Sequence, residues 1–279
     1  MLIDFHTHLF PPAFQQRREE VCRNDATFGE LYANPKAALA TAAQLVAAMD
    51  ASGVQAAVVM GVGWTHLPTA QEANDYLLQA SSEMPGRLIP FCSVNPAWGD
   101  AALRELERCA ALGARGVGEL HPDIQGFDIT GRAVMAPLMA SAKALGLPLL
   151  THASEPVGHL YPGKGKTTPE RLWAFIQNFP ENTRVCAHWG GGLPFYALMP
   201  EVEESLRNVY FDTAASPFLY RPQVFDAAVA VVGAQRVLLG TDYPLLSPRR
   251  VIAQLEASSL SVEQRTAVLG ENAAALLGL

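Results

Sequence analysis

Short apolar runs alternate with longer segments rich in Ala, Leu, Glu and Arg along the whole chain. The apolar runs are Leu2–Phe5, Gln55–Gly61, Leu88–Val94, Ala114–Leu120, Leu147–Thr151, Arg184–Ala187, Val209–Thr213 and Val237–Thr241. Their length and Val/Ile/Leu content predict strands buried on both faces. The segments between them, Pro35–Ser52, Pro68–Met84, Asp100–Leu112, Ala133–Leu145, Pro169–Phe179, Pro222–Val232 and Pro248–Ser258, predict helices. Several open on Pro, and Gly53, Gly113, Gly146 and Gly233 follow helix ends, the positions each residue type favours. A final helix is expected over Ser261–Leu277, with Ser261 as its cap.

Strands that alternate with helices must run parallel, because parallel neighbours need a crossover between them. Eight such units predict a (β/α)8 TIM barrel spanning 1–279 as one domain. An open doubly wound sheet is the competing architecture. It would carry a glycine fingerprint after its first strand, and His6-Thr7-His8 stands there instead. Two segments break the short-loop pattern. Leu9–Asn34 reads as a long inserted loop and candidate lid, and Ala153–Thr168 is a second candidate.

Composition narrows the setting. With 20 Lys+Arg against 27 Asp+Glu the net charge is −7, which argues against a nucleic-acid partner. No apolar run approaches the ~18 residues of a membrane span, and the start Met1-Leu2-Ile3-Asp4 lacks a basic leader. Cys22, Cys92, Cys109 and Cys186 form no C-x-x-C pair and read as reduced thiols. The expectation is a cytoplasmic protein acting on a small-molecule substrate, with a homodimer expected only because twofold homo-oligomers are common.

The candidate chemistry lies at strand ends. Residues i and i+2 of a strand share a face, so His6 and His8 project together. Alone, that pair is better read as hydrogen-bonded core or loop histidines. However, His152, His188 and Asp242 close strands five, six and eight, and Glu119 lies near the end of strand four. The C-terminal ends of barrel strands are where active sites form. All seven histidines (6, 8, 66, 121, 152, 159 and 188) fall at such ends or in the loops after them. Imidazole and carboxylate without thiolate suit Zn²⁺, with Mn²⁺ or Fe²⁺ as alternatives. Such an ion lowers the pKa of bound water to about 7, and Asp242 is placed to handle the proton.

These residues resemble the amidohydrolase superfamily, and more narrowly its amidohydrolase-related branch (amidohydrolase family 2). The resemblance rests on Asp4-Phe5-His6-Thr7-His8, the histidines ending strands five and six, Gly240-Thr241-Asp242 with Pro244, and Gly270-Glu271-Asn272-Ala273. It implies His6, His8, His152 and Asp242 as ligands of the main metal. It implies His188 as a second-site ligand or as the histidine that polarises water or substrate. Glu119 is similar to a strand-four bridging carboxylate, and equally suits a hydrogen-bond acceptor behind a ligand histidine. Its presence favours a hydrolase with one or two ions, attacking a small amide, ester or lactone. The alternative is a non-oxidative decarboxylase of a small aromatic or unsaturated acid, such as the branch's aminocarboxymuconate-semialdehyde decarboxylases. There His188 or Asp242 would deliver the proton that replaces CO2.

Lesser candidates are weighed against plain packing or solvation. His121, Trp64, His66, Trp189, Tyr161 and His159 lie on the expected active face. Lys164, Lys166, Arg221 and Arg132 could bind a substrate carboxylate. Trp173 and Phe175 read as core. Gly158 to Lys164 nearly matches a phosphate loop but lacks the Ser/Thr and the helix. Arg17-Arg18 and Arg249-Arg250 read as solvated faces.

Overall fold

The computed structural model describes all residues 1–279. Eight parallel strands lie in sequential order: β1 Ile3–His8, β2 Ala56–Met60, β3 Leu88–Cys92, β4 Gly116–Leu120, β5 Leu149–Thr151, β6 Arg184–Cys186, β7 Val209–Asp212 and β8 Val237–Leu238. The sheet closes where Phe5 N–H donates to Leu239 O (2.7 Å), Asp242 N–H to His6 O (2.9 Å) and His8 N–H to Tyr243 O (2.7 Å). The fold is a (β/α)8 TIM barrel. Nearly every strand residue is buried, as expected where side chains fill the barrel inside and helices cover it outside. Ile3, Phe5, Val58, Phe91, Leu150, Val185 and Leu238 form the inner core.

Four expected elements differ. β1 runs past Phe5 to His8, so both histidines are strand residues. The helix expected from Pro35 begins at Ala42, where Thr41 and Gln44 form a reciprocal cap that stops it extending upstream. The insertion after β1 is not a bare loop. It folds as helices Pro12–Gln16, Arg18–Asn24 and Ala26–Tyr32 around the buried rings of Phe10, Phe14, Phe28 and Trp64.

The C-terminal helix is interrupted. Val262–Thr266 and Asn272–Leu277 are separated by a wider turn at Ala267–Glu271. A Cβ on Gly270 would overlap Met1 O, so this position admits only glycine where the C-terminal segment crosses the start of β1.

Candidate metal centre

All six candidate residues converge at the C-terminal mouth of the barrel. His6, His8, Glu119, His152 and His188 are buried, and Asp242 is partly so. His6 Nε2 and His8 Nε2 are 3.1 Å apart. Asp242 Oδ1 lies 3.2 Å from His8 Nε2 and 3.9 Å from His6 Nε2. Glu119 spans two groups. Its Oε2 faces His6 and His8 (3.8 and 3.6 Å), and its Oε1 faces His152 Nδ1 and His188 Nε2 (3.1 and 3.7 Å).

Local backbone aims these groups. The β1/β2 register shifts between Asp4 and Thr7, and the β4/β5 register between Val117 and Leu120. Such irregularities redirect side chains beside active sites. Gly118, next to Glu119, sits at φ 144°, and a Cβ there would lie 2.6 Å from Leu150 O. His188 and Asp242 are both left-handed, at φ 54° and 64°. Non-glycine residues seldom adopt that conformation, and it gathers at functional sites. His188 is therefore not the last residue of β6, as the sequence suggests, but the start of a sharp turn after it.

Hydrogen bonds behind the site fix the imidazoles. His8 Nδ1 and His188 Nδ1 face Gly61 O and Ala214 O (both 3.1 Å), and His6 Nδ1 faces Asp212 Oδ2 at 2.8 Å. Carbonyls and carboxylates only accept, so each Nδ1 carries a proton. In the neutral rings each Nε2 lone pair then points into the centre. His6 and His8 thus turn two acceptors towards each other at 3.1 Å, with two carboxylates beside them. Only a proton or a cation between them makes that arrangement favourable, so the donor set fits a divalent ion. Two sets of three ligand atoms lie mutually within 4.8 Å, His6/His8/Glu119 and Glu119/His152/His188.

The charges are strongly interdependent. Burial disfavours a charged His188, but the Glu119 and Asp242 carboxylates outweigh it and raise its pKa to about 9. Burial likewise opposes charge on His6, and Asp212, Glu119 and Asp242 together raise it to about 10. For Asp242, burial is outweighed by His8, His6 and His188, which hold it near about 2. Burial and the neighbouring His121 and His188 lower His152 to about 4. Behind β1, burial raises Asp4 to about 7 despite bonds from Thr241 N–H (3.0 Å) and Oγ1–H (2.6 Å).

A cavity of about 530 Å³ opens above these residues. Leu31 and Tyr32 of the insertion line it together with Ala37 and Ala38 just after, and so do Phe218, Leu219, Pro244 and Leu245. His121, His159 and Tyr161 line it as the sequence suggests, and the His121 ring stacks on His152 at 4.2 Å and 12°.

Other candidates do not reach it. Trp64 and Trp189 are fully buried, and Trp189 Nε1 donates to Ser216 Oγ. His66 pairs with Thr69, and Arg132 with Asn178. Lys164 donates to Val157 O and His159 O, which pins its own loop. Lys166 and Arg221 are absent from the lining, where Lys36 is the single Lys or Arg. Arg18 is no solvated charge. Its guanidinium donates to Tyr32 O (3.3 Å), Asn34 O (2.9 Å) and Ala37 O (3.0 Å), holding the insertion wall in place.

Sequence reasoning missed Asp212, although a carboxylate ending strand seven meets the criterion that selected the other six. It also missed Tyr32 and Lys36, for which no periodic signal exists.

The barrel and its ligand cluster define a class, and the amidohydrolase family model matches residues 3–279. The chain belongs to the amidohydrolase family. Among its relatives is a gamma-resorcylate decarboxylase of Polaromonas sp., 23% identical over 256 residues and covering 76% of each chain. Another is a 2-amino-3-carboxymuconate-6-semialdehyde decarboxylase of Dictyostelium discoideum, 26% identical over 250 residues, covering 76% of this chain and 67% of the relative. A similar solved structure is a dihydroxybenzoic acid decarboxylase from Polaromonas sp. JS666 with bound manganese and the inhibitor 2-nitroresorcinol. It has a TM-score of 0.73 and 20% identity, and the match covers 100% of this chain and 97% of that one.

These relatives overturn the expectation of a hydrolase acting on an amide, ester or lactone, because those compared are decarboxylases. The error lay in the weight given to Glu119. A carboxylate among imidazoles stabilises a divalent ion whatever reaction follows, so it does not distinguish the two chemistries. No helix is long and apolar enough to cross a membrane.

Proposed function

We propose that this protein is a metal-dependent non-oxidative decarboxylase of a small aromatic or unsaturated carboxylic acid. The observation that carries the reading is its kinship with decarboxylases of that type across three quarters of the chain. The cavity supports it. Leu31, Phe218, Leu219 and Leu245 give it apolar surface beside the polar His121, His159 and Tyr161, and the centre below gathers metal-type ligands.

In this reading His6, His8, His152 and Asp242 hold the main ion, and Glu119 lies between them and His188. Mn²⁺ or Zn²⁺ suits the donors, and the ion supplies the positive charge that binds the substrate carboxylate or phenolate. Leu31, Tyr32, Phe218 and Leu245 pack against the ring and exclude water from it. The bond between the ring carbon and the carboxylate breaks, CO2 leaves, and the electron pair stays on that carbon. His188 Nε2–H then delivers the replacing proton and regains it from solvent. Asp242 is the poorer donor, because in this reading its carboxylate is committed to the ion, while His188 lies outside that ligand set.

The test is CO2 release from a panel of hydroxybenzoic and unsaturated carboxylic acids by protein loaded with Mn²⁺ or Zn²⁺. Metal content is measured beside it for the parent and Glu119→Ala. Turnover of one acid class, lost on chelation, is the expected result. Protein that binds metal but releases no CO2 from any acid would count against the reading. Two metal equivalents falling to one in Glu119→Ala would make Glu119 a shared ligand.

A further inference from the structure

Asp212 closes β7 and is fully buried. Its two oxygens face different parts of the site. Oδ2 lies 2.8 Å from His6 Nδ1. Oδ1 accepts the backbone N–H groups of His188 and Ala214, each at 3.0 Å. His188 Nδ1 in turn donates to Ala214 O at 3.1 Å. One carboxylate therefore holds the ring of His6 and the backbone of the left-handed turn that presents His188, with the two rings 5.4 Å apart between centroids.

We propose that Asp212 is a positioning residue that sets the tautomer of His6 and fixes the turn of His188, so that the metal-binding face and the proton donor keep one spacing. The proposal rests on the metal-dependent reading above. The reasoning is one of donors and acceptors. Because Asp212 Oδ2 only accepts, His6 must donate from Nδ1, and its Nε2 lone pair is left for an ion. Because Oδ1 takes two N–H groups, the chain after β6 stays in a conformation that a non-glycine residue otherwise avoids.

Asp212→Asn separates the two roles. The side-chain amide must keep its oxygen on the His188 and Ala214 N–H groups, since its NH2 cannot accept. The NH2 then faces His6 Nδ1 and donates to it. The ring proton moves to Nε2 and removes the lone pair offered to the ion. Asp212→Ala loses both functions.

The experiment pairs Mn²⁺ affinity, by equilibrium dialysis, with hydrogen exchange at the His188 and Ala214 amides. In Asp212→Asn the amides should stay as slow as in the parent while the Mn²⁺ dissociation constant rises roughly 10–100-fold. In Asp212→Ala both amides should exchange faster. Parental Mn²⁺ affinity in Asp212→Asn would overturn the proposal, as would parental exchange in Asp212→Ala. If Asp212→Ala fails to fold, Asp212→Asn still decides. If the parent binds no Mn²⁺, Zn²⁺ or Fe²⁺, the metal-dependent reading falls, and the amide exchange still decides whether Asp212 holds the turn.

Discussion

His188 shows how much one residue's setting decides. Its φ of 54° places it in a left-handed turn, and its Nδ1 bond to Ala214 O leaves Nε2 as the atom that faces Glu119. Asn is the best replacement here, since it tolerates the left-handed region and cannot deliver an acidic proton. His188→Asn should therefore lower kcat for CO2 release by about 10²–10⁴-fold, the usual worth of a positioned acid. Metal content should be unchanged. Loss of metal together with activity would make His188 a ligand rather than the donor. The six candidate residues could be picked out because each is a rare chemical type at or near the end of an apolar run, and the structure brings them together. Their tautomers and the left-handed turns were not, because both depend on carbonyls and carboxylates of neighbouring strands.

At the scale of elements, β6 and the helix Pro169–Asn178 are tied by a buried cation without a carboxylate partner. Arg184 is fully buried, and it donates from Nη1 to Ile176 O (3.0 Å) and Phe179 O (2.5 Å) and from Nη2 to Pro180 O (3.3 Å). These carbonyls lie at the helix C-terminus, where their dipoles favour a positive charge. Burial still lowers its pKa to about 10. Arg184→Ala leaves a cavity and unpaired carbonyls, offset in part by removal of the buried charge. It should cost roughly 2–4 kcal/mol of unfolding free energy, read from urea denaturation, with CO2 release per folded molecule unchanged. The sequence shows a basic residue opening an apolar run and nothing of this role. The insertion is a parallel case. Its aromatic residues announce a small core, but only the packed helices place Arg18 on the carbonyls that shape the cavity wall.

Across the whole molecule, the site is a product of barrel closure. His6 and Asp212 are 206 residues apart in sequence and 2.8 Å apart in space. An ion held by the proposed ligands would join β1 to the ends of β5 and β8, an arrangement the unfolded chain lacks. At a free concentration 100 times its dissociation constant, it should add about 2.7 kcal/mol. Chelation should thus lower the melting temperature by roughly 4–5 °C, and added Mn²⁺ should restore it. A melting temperature indifferent to both treatments would sink the assignment of these residues as ligands.

The sequence by itself determined the alternation of strand and helix, the count of eight, and the chemical types that end the strands. Those are local properties: hydrophobic period, helix-end residues and side-chain identity. Tertiary structure decided which lone pairs face inward, how Asp212 joins two histidines, and which wall the insertion lends to the cavity. Those depend on contacts between segments far apart in the chain, and on loops with no periodic signal. Hydrolysis and decarboxylation could not be separated from the ligand residues, because one set of imidazoles and carboxylates serves either reaction. Kinship with decarboxylases across three quarters of the chain favours the second.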